Sequence, residues 1–185
     1  MAENENGSTQ TPVGGDAEAS GPQVGVITQY IKDLSFENPN APASLQNNSG
    51  KQPALEVNVN VGVKKVNDEV FEVELKISAT AKVGEDETAF VVELLYGTLF
   101  GMRGVPEEAM QPFLLIQAPT LMFPFARRII ADATRDGGFP PLLLEPISFE
   151  ALFQQQMAQQ QAQAAAATDG AATEGSDDPA PINLN

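Results

Sequence analysis

Leu55-Glu-Val-Asn-Val-Asn-Val-Gly-Val63 and Phe71-Glu-Val-Glu-Leu-Lys-Ile-Ser-Ala-Thr-Ala-Lys-Val83 both alternate apolar and polar residues with a period of two. That period belongs to a strand with one buried face and one solvated face. Between them Asn67-Asp68-Glu69 supplies a short polar break, so the pair predicts an antiparallel hairpin. Gly84-Glu85-Asp86-Glu87 predicts the next turn, and a third strand follows with Phe90, Val92, Leu94, Tyr96 and Phe100 on one face. The opposite face of that strand carries Val91, Leu95 and Leu99 around Glu93, so it is apolar on both sides. Upstream, alternation within Val26–Phe36 predicts a first strand, and the four together predict a four-stranded antiparallel meander.

After residue 104 the pattern changes. Val105-Pro106-Glu107-Glu108 has the Pro and early acids of a helix start, but Pro112, Pro119 and Pro124 predict that any helix before Thr120 is short. A longer helix is expected from Thr120 as N-cap. It would carry Phe125, Ile129 and Ala133 on one stripe, with Met122, Ala126 and Ile130 beside it, and end at Gly137-Gly138. The segment Phe139-Pro-Pro-Leu-Leu-Leu-Glu-Pro146 cannot be helical because its prolines remove donors and clash with the preceding turn. Ser148 is the expected cap of a shorter last helix with Phe149, Leu152 and Phe153 as its apolar edge. Strands first and helices afterwards describe an α+β layer fold: a four-stranded antiparallel sheet, then a longer and a shorter helix joined by a Pro-rich apolar loop.

Composition sets the outer limits. The chain has 185 residues, 25 acids and 10 bases, a net charge of -15, and neither cysteine nor histidine. Residues 1–23 hold Glu3, Glu5, Asp16 and Glu18 with no base and little to bury, and are expected to be a disordered tail. Residues 158–185 turn Gln/Ala-rich and then small and acidic, and are expected to be a second disordered tail, leaving 24–157 as the folded domain. Acidic surface repels phosphate backbones and anionic bilayers, which argues against nucleic-acid partners and against membrane insertion. No run of about 18 apolar residues and no signal-like N-terminus is present, so a cytoplasmic protein is the expectation.

Catalytic chemistry finds little to work with. Without His or Cys there is no Ser-His-Asp triad, no thiolate and no zinc-ligand spacing, and neither metal nor cofactor is expected. Glu72/Glu74 are read as a solvated strand face, Glu107/Glu108 as a helix-dipole complement, and Gly97, Gly101 and Gly104 as turn glycines. Arg127-Arg128 is read as a solvated helix face, paired with Asp132 at i+4. A small-ligand carrier, or a catalyst built on Tyr30 or Tyr96, finds no recognisable constellation. What remains is surplus apolar surface, which homo-oligomerisation would bury most simply. The apolar residues of loop 139–144 are read equally well as core or as the lining of a groove.

Four stretches then carry a resemblance. Ile31-Lys-Asp-Leu-Ser-Phe-Glu-Asn-Pro-Asn-Ala-Pro42, Glu87-Thr-Ala-Phe-Val-Val-Glu93, Gln117-Ala-Pro-Thr-Leu-Met-Phe-Pro-Phe-Ala-Arg127 and Gly138-Phe-Pro-Pro-Leu-Leu-Leu-Glu-Pro-Ile-Ser-Phe-Glu-Ala-Leu152 resemble, in order, motifs of the SecB family of bacterial protein-export chaperones. The likeness spans roughly 26–157. Ala118, Phe125 and Lys51 depart from residues common in the family. The resemblance implies a homotetramer, a dimer of dimers, that binds unfolded precursor polypeptides and hands them to the SecA motor ATPase. It further implies SecA contact through Asp33, Glu37, Val91 and Glu93, aided by the acids after residue 168. The client groove it implies lies near Phe36, Leu55, Val57, Phe139, Leu142 and Leu144.

Overall fold

Strands β2 (Ala54–Lys65) and β3 (Val70–Val83) pair antiparallel, with Leu55 opposite Ala81 and Val63 opposite Val73. The apolar residues of both strands therefore share one face, as their alternation predicts; a slip of one residue would turn every Val of β2 to the other side. The Asn67 side-chain oxygen accepts the Glu69 N–H at 2.9 Å and closes the connection. The computed structural model describes residues 21–46, 53–83, 87–167 and 182–183. Of the turn expected at 84–87, only Glu87 falls within them, as the first residue of β4 (Glu87–Arg103), which pairs along β3.

The simple meander does not hold. Strand β1 (Gln23–Glu37) pairs with β4, from Gln23 opposite Arg103 to Glu37 opposite Val91, and the sheet runs β1-β4-β3-β2. This is a Greek key: three hairpin-linked strands and a fourth that reaches the far side by a long connection. That connection includes the short helix α1 (Ala43–Gln46). Strand β4, apolar on both faces, thereby becomes a central strand with a neighbour on each edge. Gly97 and Gly101 lie within β4 rather than in a turn, while Gly104 has the positive φ of 63° that a turn glycine supplies.

One face of the sheet is the core. Val73, Leu75, Ile77, Ala79 and Ala81 of β3 and Val92, Leu94, Tyr96 and Phe100 of β4 are buried on it. Their cover is a continuous helical run: α2 (Glu107–Pro112), a wide turn of π-helix (Phe113–Gln117), and α3 (Ala118–Asp136). Pro112 and Pro119 were expected to keep any helix before Thr120 short, and they do not. The π-turn directly follows Pro112, and wide turns of this kind absorb a break in the i→i−4 ladder. Thr120 is consequently no cap; it sits mid-helix, its hydroxyl donating to the Ile116 carbonyl at 2.6 Å. The buried stripe of α3 is Met122, Phe123, Ala126, Ile130 and Thr134, whereas Phe125 points away, 48% exposed. Among the described residues, the run Glu107–Asp136 is long and apolar enough, by length and composition, to cross a bilayer, a test that core helices also pass. Here its buried stripe packs on the sheet.

Helix α4 (Phe149–Ala167) starts as expected, the Ser148 Oγ accepting the Ala151 N–H at 3.3 Å, with Phe149 and Leu152 buried. It continues ten residues past the boundary expected at 157. A two-residue strand, β5 (Ile182–Asn183), pairs with β2 within the stretch read as a C-terminal tail. The N-terminal tail lies outside the described residues.

The other sheet face is polar but not simply solvated. Glu72 is 9% exposed, accepting hydrogen bonds from the Tyr30 hydroxyl and from Lys32 Nζ. Lys32 also bridges to Glu74, which takes Lys64 as well, at 2.9 Å. The Tyr30 ring lies across Gly97, where a Cβ would sit 2.8 Å from a ring carbon, so the glycine admits the ring that anchors this cluster. The hydrogen bond from Tyr30, then that from Lys32, holds the Glu72 carboxyl below its ordinary value. At Glu74 burial pushes upward, but the Lys32 and Lys64 ammonium groups outweigh it and the net shift is also down. Depressed carboxylates stabilise the fold above the ordinary value of 4.5, and that stabilisation is lost as pH falls below it. Glu72→Ala strands both Tyr30 and Lys32 and is expected to cost about 2 kcal/mol at pH 7. In urea denaturation followed from pH 7 to pH 3, the gap between variant and parent should close.

Candidate functional site: an apolar groove and an acidic sheet face

The helical run lies over β3 and β4 and leaves the end of β2 open. Past Gly137-Gly138 the chain crosses back toward β2 as an extended segment, and that crossing is pinned at one residue. Thr134 is buried; its hydroxyl donates to the Ile130 carbonyl at 3.0 Å and accepts the Leu142 N–H at 2.9 Å, while its carbonyl takes the Phe139 N–H at 3.1 Å. Pro140, Pro141 and Pro146 have no N–H to satisfy, so an irregular segment can lie on apolar surface without orphaned donors. Gly137 is required where Phe36 packs: a Cβ there would fall 2.2 Å from the Phe36 ring. Gly138 has a φ of 89°, which starts the crossing.

Between this segment, the first turns of α4 and the end of β2 lies a groove of about 540 Å3. Its lining is Leu55 and Val57 from β2, Leu143 to Ser148 from the crossing, and Ala151, Leu152 and Gln155 from α4. Leu55 remains 38% exposed and Leu143 64% exposed, large aliphatics that a monomeric core would cover.

The residues expected at a groove divide into three sets. Leu55, Val57 and Leu144 line it, but Leu144 is only 5% exposed and serves mainly as its floor. Leu142 is half-buried against the core. Phe36 and Phe139 do not line it: with Phe90 they form an aromatic cluster, with centroids 5.8 Å (Phe36–Phe90), 6.2 Å (Phe36–Phe139) and 5.0 Å (Phe90–Phe139) apart. That cluster anchors the start of the crossing on β1 and β4. Leu143, Ile147 and Leu152 were not singled out for the groove. Three consecutive leucines outside any helix or strand carry no period, so nothing in sequence separates the floor residue from the wall residue.

The four residues expected at a charged contact do come together. They lie on the opposite face of the sheet: Glu37 faces Val91 across β1 and β4, Ser35 faces Glu93, and Asp33 faces Leu95. Glu93 is therefore a diagonal neighbour of both Asp33 and Glu37, about 7–8 Å away by strand geometry. All three acids are exposed, and Val91 is half-buried between them. The groove and the acid patch thus occupy opposite faces and opposite edges of one sheet. No metal-ligating cluster occurs among the described residues.

Residues 17–160 match the family described as preprotein translocase subunit SecB. The protein-export protein SecB of Zymomonas mobilis is 54% identical over 135 residues, covering 73% of this chain and 80% of its own. That of Rhizorhabdus wittichii is 53% identical over 152 residues, covering 82% of this chain and 89% of its own. Among solved structures, a SecB-like chaperone of Mycobacterium tuberculosis in complex with a peptide from an antitoxin superposes with a TM-score of 0.58. It is 15% identical and covers 68% of this chain and 91% of that one, a likeness of fold.

The floor and the wall of the groove should separate by mutation. Leu144→Ala is expected to lower stability by about 2–5 kcal/mol, whereas Leu143→Ala should change it by less than about 0.5 kcal/mol. Urea unfolding of the two variants distinguishes them; equal losses would mean that Leu143 is core.

Proposed function

The chain belongs to the SecB family of protein-export chaperones, and on that premise we propose that it holds precursor polypeptides unfolded in the cytoplasm and delivers them to SecA. The observation that carries this reading is the open apolar groove walled by Leu55 and Leu143 and floored by Leu144 and Leu152, on the sheet face opposite Asp33, Glu37 and Glu93. Unfolded chains expose aliphatic and aromatic side chains, which such a wall accepts with little demand on sequence. A chaperone that binds only the unfolded form delays folding by mass action, so the role needs neither a nucleotide nor a catalytic group. The acid patch offers SecA a separate surface, one that a bound client leaves clear.

Assembly as a dimer of dimers completes the proposal. Among the described residues strand β1 is an open edge, and its helix-side apolar residues Val24, Val26, Ile31 and Leu34 are exposed, as are Leu121 and Phe125 of α3. An edge and an apolar shelf of this kind are what a second copy covers. In this account residues 24–157 act as the chaperone unit, with helix α4 extending beyond it.

Leu55→Asp with Leu143→Asp is expected to weaken binding of an unfolded precursor at least about tenfold, since each loses well over 1 kcal/mol of apolar burial. Light scattering should show the assembly unchanged. Unaltered affinity in an intact assembly would sink the groove assignment. Asp33→Lys and Glu93→Lys should each reduce SecA affinity several-fold at low salt, with the difference shrinking at high salt, while client binding stays at the parent level. Ile31→Asp combined with Phe125→Asp should lower the assembled mass; a tetramer persisting at micromolar concentration would refute the shelf as interface.

A further inference from the structure

Strand β1 breaks its ladder beside the acid patch. Ile31 faces Tyr96 and Asp33 faces Leu95, consecutive residues of β4, so Lys32 is an extra residue with no partner across the pair. A bulge of this kind resets the alternation of the strand that contains it and re-aims the side chains beyond it. Ahead of the bulge Tyr30 lies on the outer face over Gly97, and Ile31 on the helix side. After it Asp33 and Glu37 take the outer face, while Leu34 and Phe36 take the helix side. Were Lys32 drawn into the ladder with Tyr30 and Ile31 in place, every later side chain would change face. Asp33 and Glu37 would then turn toward the helices, and Phe36 would leave the aromatic cluster it forms with Phe90 and Phe139.

Charge holds the bulged residue where it is. The Lys32 Nζ donates to Glu72 Oε1 at 2.9 Å and also bridges to Glu74, both on β3, so its side chain spans β4. Glu72 takes the Tyr30 hydroxyl as well, and Glu74 takes Lys64 of β2 at 2.9 Å. An isolated surface pair would fix little, but here the Glu72 and Glu74 side chains are only 12% exposed and share their partners in one network. The acid patch has no such support of its own. Among the described residues the carboxylates of Asp33, Glu37 and Glu93 have no partner, so the phase of the strand is what aims the first two.

We propose that Lys32 is a positioning residue for the acid patch: its ion pairs with Glu72 and Glu74 hold the bulge, and the bulge keeps Asp33 and Glu37 on the face of Glu93. This rests on the reading of that patch as the SecA contact and names what aims it. The sign of one effect separates positioning from bulk charge. Lys32 is a cation next to a patch that attracts basic surface. If charge alone mattered, removing the ammonium would leave the face more acidic and strengthen the contact. Positioning requires the reverse, because Asp33 and Glu37 lose their fixed direction.

The test uses the full chain with Lys32→Met, which keeps the apolar stem and removes the ammonium, and Lys32→Arg, which restores a cation. In Lys32→Met, SecA affinity at low salt should fall about threefold to tenfold, the range expected for residues coupled in one network. Lys32→Arg should recover most of that loss, and Glu74→Gln added to Lys32→Met should change little further. Amide hydrogen exchange without SecA is the second readout. Residues 31–35 should exchange several-fold faster in Lys32→Met, with residues 57–63 and the affinity for an unfolded precursor at the parent level. SecA affinity equal to or above the parent's in Lys32→Met would overturn the proposal, as would unaltered exchange at 31–35. Exchange that quickens equally at 57–63, or an arginine variant as weak as the methionine one, would overturn it too. Should the parent itself fail to bind SecA, the reading of the patch fails, and the exchange comparison still decides whether Lys32 holds the bulge.

Discussion

The organisation of this protein follows from a mismatch of widths. Four strands spaced about 4.8 Å apart make a sheet nearly 20 Å across, whereas one helix with its side chains is about 10 Å wide. The single helical run Glu107–Asp136 therefore covers chiefly the central pair β3 and β4, reaching β2 only through its π-turn near the buried Val59. Period-two alternation makes the inner faces of β1 and β2 apolar all the same. Two apolar shelves are thus left flanking the helix. One bears Val24, Val26, Ile31 and Leu34; the other bears Leu55 and Val57.

The two shelves are finished differently, and the difference lies in the chain that follows α3. On the β1 side, among the described residues, the aromatic cluster of Phe36, Phe90 and Phe139 alone closes the end of the sheet, and Val24, Val26, Ile31 and Leu34 stay exposed. On the β2 side the crossing segment and α4 wall the shelf into a groove without filling it. Prolines and the buried Thr134 hydroxyl are what let an irregular chain lie there. They remove or satisfy backbone donors that would otherwise lose solvent without gaining partners. The outer sheet face, free of these demands, keeps its charges. It divides into an internally neutralised cluster around Glu72 and Glu74 and an acid patch around Glu93.

Much of this was legible in the residues. The β2–β3 hairpin, the double-faced β4, the Gly137-Gly138 stop and the Ser148 cap each rest on a local rule, and local rules suffice for them. The partner of β1 was not legible, because pairing across some 60 residues depends on which strand needs a second neighbour rather than on any pattern within β1. Pro112 and Pro119 argued for no more than a short helix before Thr120, and the π-turn at Phe113–Gln117 escapes that argument by changing the hydrogen-bond ladder instead of ending it. At the site, Asp33, Glu37, Val91 and Glu93, a set that only the family resemblance singled out, lie together on one sheet face because β1 pairs with β4. The groove set divides. Phe36 and Phe139 became an anchor, Leu144 a floor, and Leu143 a wall, distinctions that depend on side-chain direction in a segment with no period.

The central claim is that the β2 shelf, walled by the crossing segment and α4, is the surface that takes unfolded chains. The most direct measurement is methyl NMR of the assembled protein titrated with an unfolded precursor. The account predicts that methyl resonances of Leu55, Val57, Leu143 and Leu152 shift or broaden together, while Val91 on the opposite face stays in place. Perturbation centred on Val91, or none at the four groove residues when the precursor is bound, would contradict it.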